Sequence, residues 1–154
     1  MDRTEFQELL NPLLTKLDGW PLDATLEAAL NAEFPSGGAF YNSVLEACRQ
    51  GDTEGWICNR EAGGIRYGRV IKPGAETHGF SVDIVQMREV VGPHHVHPNG
   101  EIDLVMPTDG HATFDQRPAG WMVYGPGSAH SPAVEGGCAY VLYLLPDGAI
   151  RFTS

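Results

Sequence analysis

Two periods of apolar residues divide the chain. Over residues 1–55 the apolar positions recur every three or four. Phe6, Leu9, Leu10, Leu13 and Leu14 in TEFQELLNPLLTKL draw a helical stripe that Pro12 is placed to kink or divide. DATLEAALNAEF starts on Asp23, a helix N-cap type, and halts at Pro35. SGGAFYNSVLEACRQG starts at Ser36, carries Phe40, Val44 and Leu45 on one side, and reaches Gly51, read as its C-cap. Three such helices have little core of their own. They are expected to pad a β-domain or a subunit interface.

From Trp56 onward the period falls to two. Ile65, Tyr67, Arg69 and Ile71 alternate with Arg66, Gly68, Val70 and Lys72, and FSVDIVQMREVVG, EIDLVMP, HATFD, WMVYGPG and CAYVLYLLPDG follow. Most of the 19 glycines and 11 prolines fall in this half, which favours short strands joined by tight turns. No helical crossover separates the strands, so a parallel sheet is disfavoured. The expected class is mainly β: a compact sandwich or barrel over residues 56–154, with a helical segment over 1–55 packed on it.

Charge narrows the partners. A net charge of −10 disfavours nucleic acid and anionic membranes, both of which need a basic surface. It leaves room for an anionic small molecule, since one or two arginines suffice to hold a carboxylate. MDRTEFQELL reads as neither a signal peptide nor a membrane span, and Cys48, Cys58 and Cys138 share no close spacing. Reduced thiols and a cytoplasmic location are expected. Short helices and sheet edges that need covering suggest a homodimer.

The candidate chemistry sits in HHVHPNGE. His95 and His97 are two apart, so on an extended backbone both imidazoles face one side. The turn-forming Pro98, Asn99 and Gly100 can then return Glu101 toward them. His130, in GPGSAHSP, is the fourth candidate. Three imidazoles and one carboxylate suit a divalent ion (Fe, Mn, Co, Ni or Zn) and leave positions open for water or substrate. His94 shares no face with this set, and His78 and His111 show no partner of their own in the surrounding sequence. They are read as surface or core residues.

These residues carry a family resemblance. H-x-H-x3-E, met by His95, His97 and Glu101, and G-x-x-H, met by Gly127 and His130, resemble the two motifs of the cupins, small jelly-roll β-barrels that hold a metal. Glu89 stands where the first motif opens with glycine, Gly110 closes it late, Gly120 and Pro126 are one residue out of register, and Val134 replaces asparagine. None of these departures removes a ligand.

The whole chain, helical start included, is similar to the 4-hydroxylaminobenzoate lyases of bacterial nitroarene degradation. The stretches GGIRYGRVIKPGAETHGFSVDIVQM, GPHHVHPNGEIDLVMP and GPGSAHSPAVEGG carry the likeness. It implies conversion of 4-hydroxylaminobenzoate to 3,4-dihydroxybenzoate with release of ammonia. Water enters, ammonia leaves and no net oxidation occurs, which suits a chain without a dinucleotide or P-loop fingerprint.

Such a substrate asks for further groups. Asp103, two after Glu101, faces the same way in a strand and is a candidate to move protons or to orient a histidine. Arg69 and Arg88 are candidates to clamp a carboxylate, with Gln86 on the Arg88 face and Tyr124 among the aromatic candidates. The residues alone leave four classes open: a metal-dependent lyase on an aromatic acid, a metal-dependent dioxygenase, an isomerase or epimerase, and a non-catalytic ligand binder.

Overall fold

Asp2 opens the first helix by accepting the Glu5 backbone N–H at 2.9 Å, while the Glu5 carboxylate accepts the Asp2 N–H. The computed structural model describes residues 1–153. Helix α1 spans Arg3–Leu17, α2 spans Ala24–Glu33 with Asp23 as its cap, and α3 spans Ala39–Glu54. Pro12 does not divide α1, which runs through it and buries Phe6, Leu10, Leu13, Leu14 and Leu17. Gly51 is not the end of α3 either. The helix continues to Gly55, whose left-handed backbone (φ 89°) closes it, and Gly51 lies under Ile57 and Trp56 where a Cβ has no room. No helix among the described residues is long and apolar enough to cross a membrane.

Ten strands follow. They are β1 (Arg60–Ala62), β2 (Ile65–Ile71), β3 (Phe80–Val91), β4 (His95–His97), β5 (Glu101–Pro107), β6 (Thr113–Phe114), β7 (Gly120–Tyr124), β8 (Ser128–His130), β9 (Ala133–Pro146) and β10 (Arg151–Phe152). Seven build an antiparallel sheet in the order β1-β2-β3-β9-β5-β7, with β6 also on β9; β10-β4-β8 form a second, three-stranded sheet. The architecture is mostly β with three helices, its antiparallel sheets arranged as in a jelly-roll.

Alternation in the large sheet sorts its side chains into two apolar clusters. Val82, Ile84, Ile102, Leu104, Met106, Trp121, Leu142 and Leu144 pack with the helices. Their strand neighbours Met87, Val105, Met122, Ala139 and Val141 face the other way, with Ile65 and Phe114. Both faces of the sheet are therefore buried, which is why β5 reads as a nearly continuous apolar run. Helix α2 also covers the exposed edge of β7: Asn31 exchanges hydrogen bonds with the Trp121 backbone at 2.9 and 3.1 Å, and Glu27 accepts the Val123 N–H at 2.9 Å.

Candidate metal centre

The second sheet places the histidines. β4 pairs with β8 so that His95 lies opposite His130 and His97 opposite Ser128, and all three imidazoles turn inward. His97 has no solvent exposure and His95 almost none. The turn before β5 passes through Gly100 at φ 92°, where a Cβ would come within 2.8 Å of the Tyr124 carbonyl. That turn brings Glu101 back to the histidines. One nitrogen or oxygen from each of His95, His97, Glu101 and His130 lies within 4.8 Å of every other.

Hydrogen bonds decide which ring nitrogens face each other. His95 Nδ1 donates to the Pro93 carbonyl at 3.1 Å, and His130 Nδ1 donates to the Asp115 carboxylate at 2.7 Å. Ser128 Oγ gives its proton to the Gly125 carbonyl at 2.6 Å, so it accepts from His97 Nδ1 at 2.9 Å. In all three rings the proton sits on Nδ1 and the Nε2 lone pair is free. These lone pairs point at one another: His95 Nε2 is 3.0 Å from His97 Nε2 and 3.1 Å from His130 Nε2. Glu101 Oε2 lies 3.1 Å from His97 Nε2 and 3.8 Å from His130 Nε2.

With the proton of each ring on Nδ1, no hydrogen lies between the three Nε2 atoms, and a cation seated among them would relieve their repulsion. Two ligands at right angles, each about 2.1 Å from one ion, stand about 3.0 Å apart, which matches the observed spacing. The donor set fits a divalent ion. Burial holds the His95 imidazole below its ordinary pKa, keeping it neutral and able to ligate.

Asp115 was not legible as part of this centre from the sequence. It accepts from His130 Nδ1, from the Tyr124 hydroxyl at 2.6 Å and from the Ala133 backbone N–H at 3.0 Å. Burial pushes its carboxyl up, but these hydrogen bonds outweigh it and leave the pKa below the usual carboxylate range. Asp115 thus stays ionised and orients His130. It sits with Gln116 on a left-handed turn (φ 50° and 66°), fifteen residues before the histidine it serves. The Tyr124 ring packs on His97 and His130, and its hydroxyl is already given to Asp115.

The centre opens into a cavity of about 410 Å³ between the two sheets. Its wall is largely apolar, with Tyr67, Val85, Phe114 and Val141 among the lining residues, and it contains no lysine or arginine. Asp103 lines it too, and neither of its buried carboxyl oxygens has a hydrogen-bond partner among the described residues. Burial first, and the neighbouring Glu101 next, push the Asp103 carboxyl well above the usual carboxylate range.

The other expected site residues lie elsewhere. Gln86 and Arg88 occupy the opposite sheet face. Gln86 accepts from Arg66, and the exposed Arg88 pairs loosely with Asp109 at 3.7 Å, so neither reaches the cavity. The expectation that Arg88 clamps a carboxylate and Gln86 binds substrate is corrected for this cavity: Val82 and Ile84, on the same face of β3, are buried against the helices. Arg69 is on the inner face but outside this cavity, paired with Asp83 at 3.0 Å. His94 Nδ1 meets Thr153 Oγ1 at 2.7 Å, and His78 lies 3.4 Å from Asp18.

Fold and site together define a jelly-roll protein with a buried three-histidine, one-glutamate cluster at the end of an apolar chamber. The family is then clear from comparison: residues 8–152 match the model of the 4-hydroxylaminobenzoate lyase family (PnbB), and the chain belongs to that family. A 4-hydroxylaminobenzoate lyase from Nocardioides sp. (strain LMS-CY) is 34% identical, covering 92% of this chain and 89% of the relative. One from Pseudomonas putida is 31% identical, covering 97% and 95%. Among solved structures, an RmlC-like cupin protein from Ralstonia eutropha is similar at 13% identity with a TM-score of 0.46, covering 60% of this chain and 62% of that one.

Proposed function

We propose that this protein is a metal-dependent lyase that converts 4-hydroxylaminobenzoate and water to 3,4-dihydroxybenzoate and ammonia. The observation that carries the reading is the set of three Nε2 atoms converging with Glu101 beside an apolar cavity. The relatives' shared activity supports the substrate. His95, His97, Glu101 and His130 would hold a divalent ion, which would supply Lewis acidity.

The chain's own residues do the rest. Tyr67, Val85, Phe114 and Val141 take the ring and exclude bulk water. Asp103, facing the cavity beside Glu101, exchanges a proton with the departing N–OH oxygen or the incoming water. Asp115 and Tyr124 hold His130 in place. The reading puts the enzyme in the cytoplasm, where its three buried thiols stay free, and makes it a homodimer that covers the exposed Val91 and Phe152. A solution mass equal to one chain contradicts the dimer.

The test is ammonia release from 4-hydroxylaminobenzoate by metal-replete and chelated protein, with dissolved oxygen followed in parallel. Ammonia that is lost on chelation, without oxygen uptake, is the expected result. Oxygen consumption coupled to turnover makes the protein an oxygenase instead, and no ammonia from metal-replete protein refutes the lyase reading.

A further inference from the structure

The apolar chamber leaves one end of the substrate unaccounted for. An aromatic acid brings a carboxylate, yet no lysine or arginine lines the chamber. With the nitrogen of a para-substituted benzoate at the histidine cluster, the carboxylate has to point the other way.

A second cavity, of about 1020 Å³, adjoins the first and shares Tyr67, Tyr143, Ile150 and Phe152 with it. Arg3, Arg60, Arg69 and Lys72 line it against only Glu76 and Asp83. Four of the chain's ten basic side chains thus meet in one recess of a protein whose net charge is −10. We propose that this recess is an anion-accepting antechamber for aromatic monocarboxylates, with Arg69 and the Tyr143 hydroxyl receiving the carboxylate and Arg60 and Lys72 drawing it in. The proposal rests on the lyase reading for the identity of the acid, but not for its carboxylate chemistry.

Strand register supports the path. Asp103 pairs with Tyr143, Tyr143 with Asp83, and Asp83 with Arg69, so the four form one row across β5, β9, β3 and β2. Three strand spacings separate the ends, roughly 14 Å. Within the row Asp83 is buried and fixes Arg69 through Nε at 3.0 Å and Nη2 at 3.4 Å, while Gly148 O accepts from Nη2 at 3.3 Å. Arg69 Nη1 has no acceptor among the described residues, which leaves a positioned donor for an incoming anion. The Tyr143 hydroxyl likewise has no partner among the described residues and stands on the wall common to both cavities.

The experiment measures binding of benzoate and of uncharged benzamide to the metal-loaded full chain, alongside salt-dependent kinetics with 4-hydroxylaminobenzoate. The antechamber predicts benzoate bound roughly tenfold or more tighter than benzamide, the effect of one charge-assisted hydrogen bond. It also predicts that Arg60→Gln with Lys72→Gln raises KM several-fold more than it lowers kcat at low salt, the difference narrowing as salt is added. Arg69→Gln with Asp83→Asn, which avoids an unpaired buried carboxylate, and Tyr143→Phe should each erase most of the benzoate preference. Equal binding of benzoate and benzamide, or a KM indifferent to salt and to Arg60 and Lys72, overturns the antechamber even when ammonia is released. A clear benzoate preference that the Arg69→Gln with Asp83→Asn and Tyr143→Phe variants erase, without ammonia release, upholds the antechamber and refutes the lyase reading.

Discussion

The two faces of the seven-stranded sheet are built from the same strands and do opposite work. Toward the helices, polar groups are satisfied. Asp52 of α3 takes hydrogen bonds from Arg66 and Tyr140, and Trp121 Nε1 donates to the Phe34 carbonyl at 2.9 Å. Toward the cavity they are not: among the described residues Asp103 has no hydrogen-bond partner and Arg69 Nη1 no acceptor, and three imidazole Nε2 atoms meet. The first face contributes stability, while the second stores polar groups that only a ligand completes. Unsatisfied buried groups cost about 1–3 kcal/mol each, so the helical layer offsets what the chemical face withholds.

Four substitutions break or sharpen this contrast. The largest effect is expected from Asp103→Asn, which should lower kcat by roughly 10²–10⁴-fold, the usual contribution of a positioned acid–base group. Metal content and melting should hardly change. Full turnover by the Asp103→Asn enzyme removes Asp103 from the chemistry. On the other face, Leu142→Ala should cost about 2–5 kcal/mol in urea unfolding, because Leu142 has no exposure and its neighbours cannot collapse freely. The folded fraction should still bind metal, and loss of metal from folded protein would show that the faces are coupled.

Asp115→Asn is predicted to weaken metal affinity by roughly 10–100-fold while leaving the four ligands in place. Competition with a coloured chelator reads this directly, and unchanged affinity reduces Asp115 to a turn residue. The smallest effect depends on pH. Burial raises the Asp52 carboxyl, but hydrogen bonds from Arg66 and Tyr140 outweigh it and the pKa lies below normal. Its stabilising contribution is therefore present above the unfolded pKa of about 3.9 and disappears as pH falls through the folded value. Asp52→Asn should cost about 1–3 kcal/mol near neutrality, with the deficit shrinking in acid. An equal deficit at about pH 7 and about pH 3 contradicts the ionic role.

The contrast also explains what was legible in the sequence. Local signals held: Asp23 caps its helix, the period-two runs are strands, and the H-x-H-x3-E spacing needs only a strand and a turn. Gln86 and Arg88 misled because alternation separates two faces without telling which borders a cavity. Here Phe80, Val82 and Ile84 lie under helices, and the apolar stripes of residues 1–55 were the available sign that an apolar sheet face had to receive them. Asp115 was hidden for a different reason: its link to His130 is made by a left-handed turn between short strands, with no spacing rule to announce it.

The most direct test of the central claim is to titrate chelator-stripped protein with metal while following ammonia release from 4-hydroxylaminobenzoate. Activity should rise linearly and level off at one ion per chain, with His95→Ala and His130→Ala showing neither the stoichiometric binding nor the rise. Full turnover by stripped protein, or by either variant without bound metal, would contradict the account.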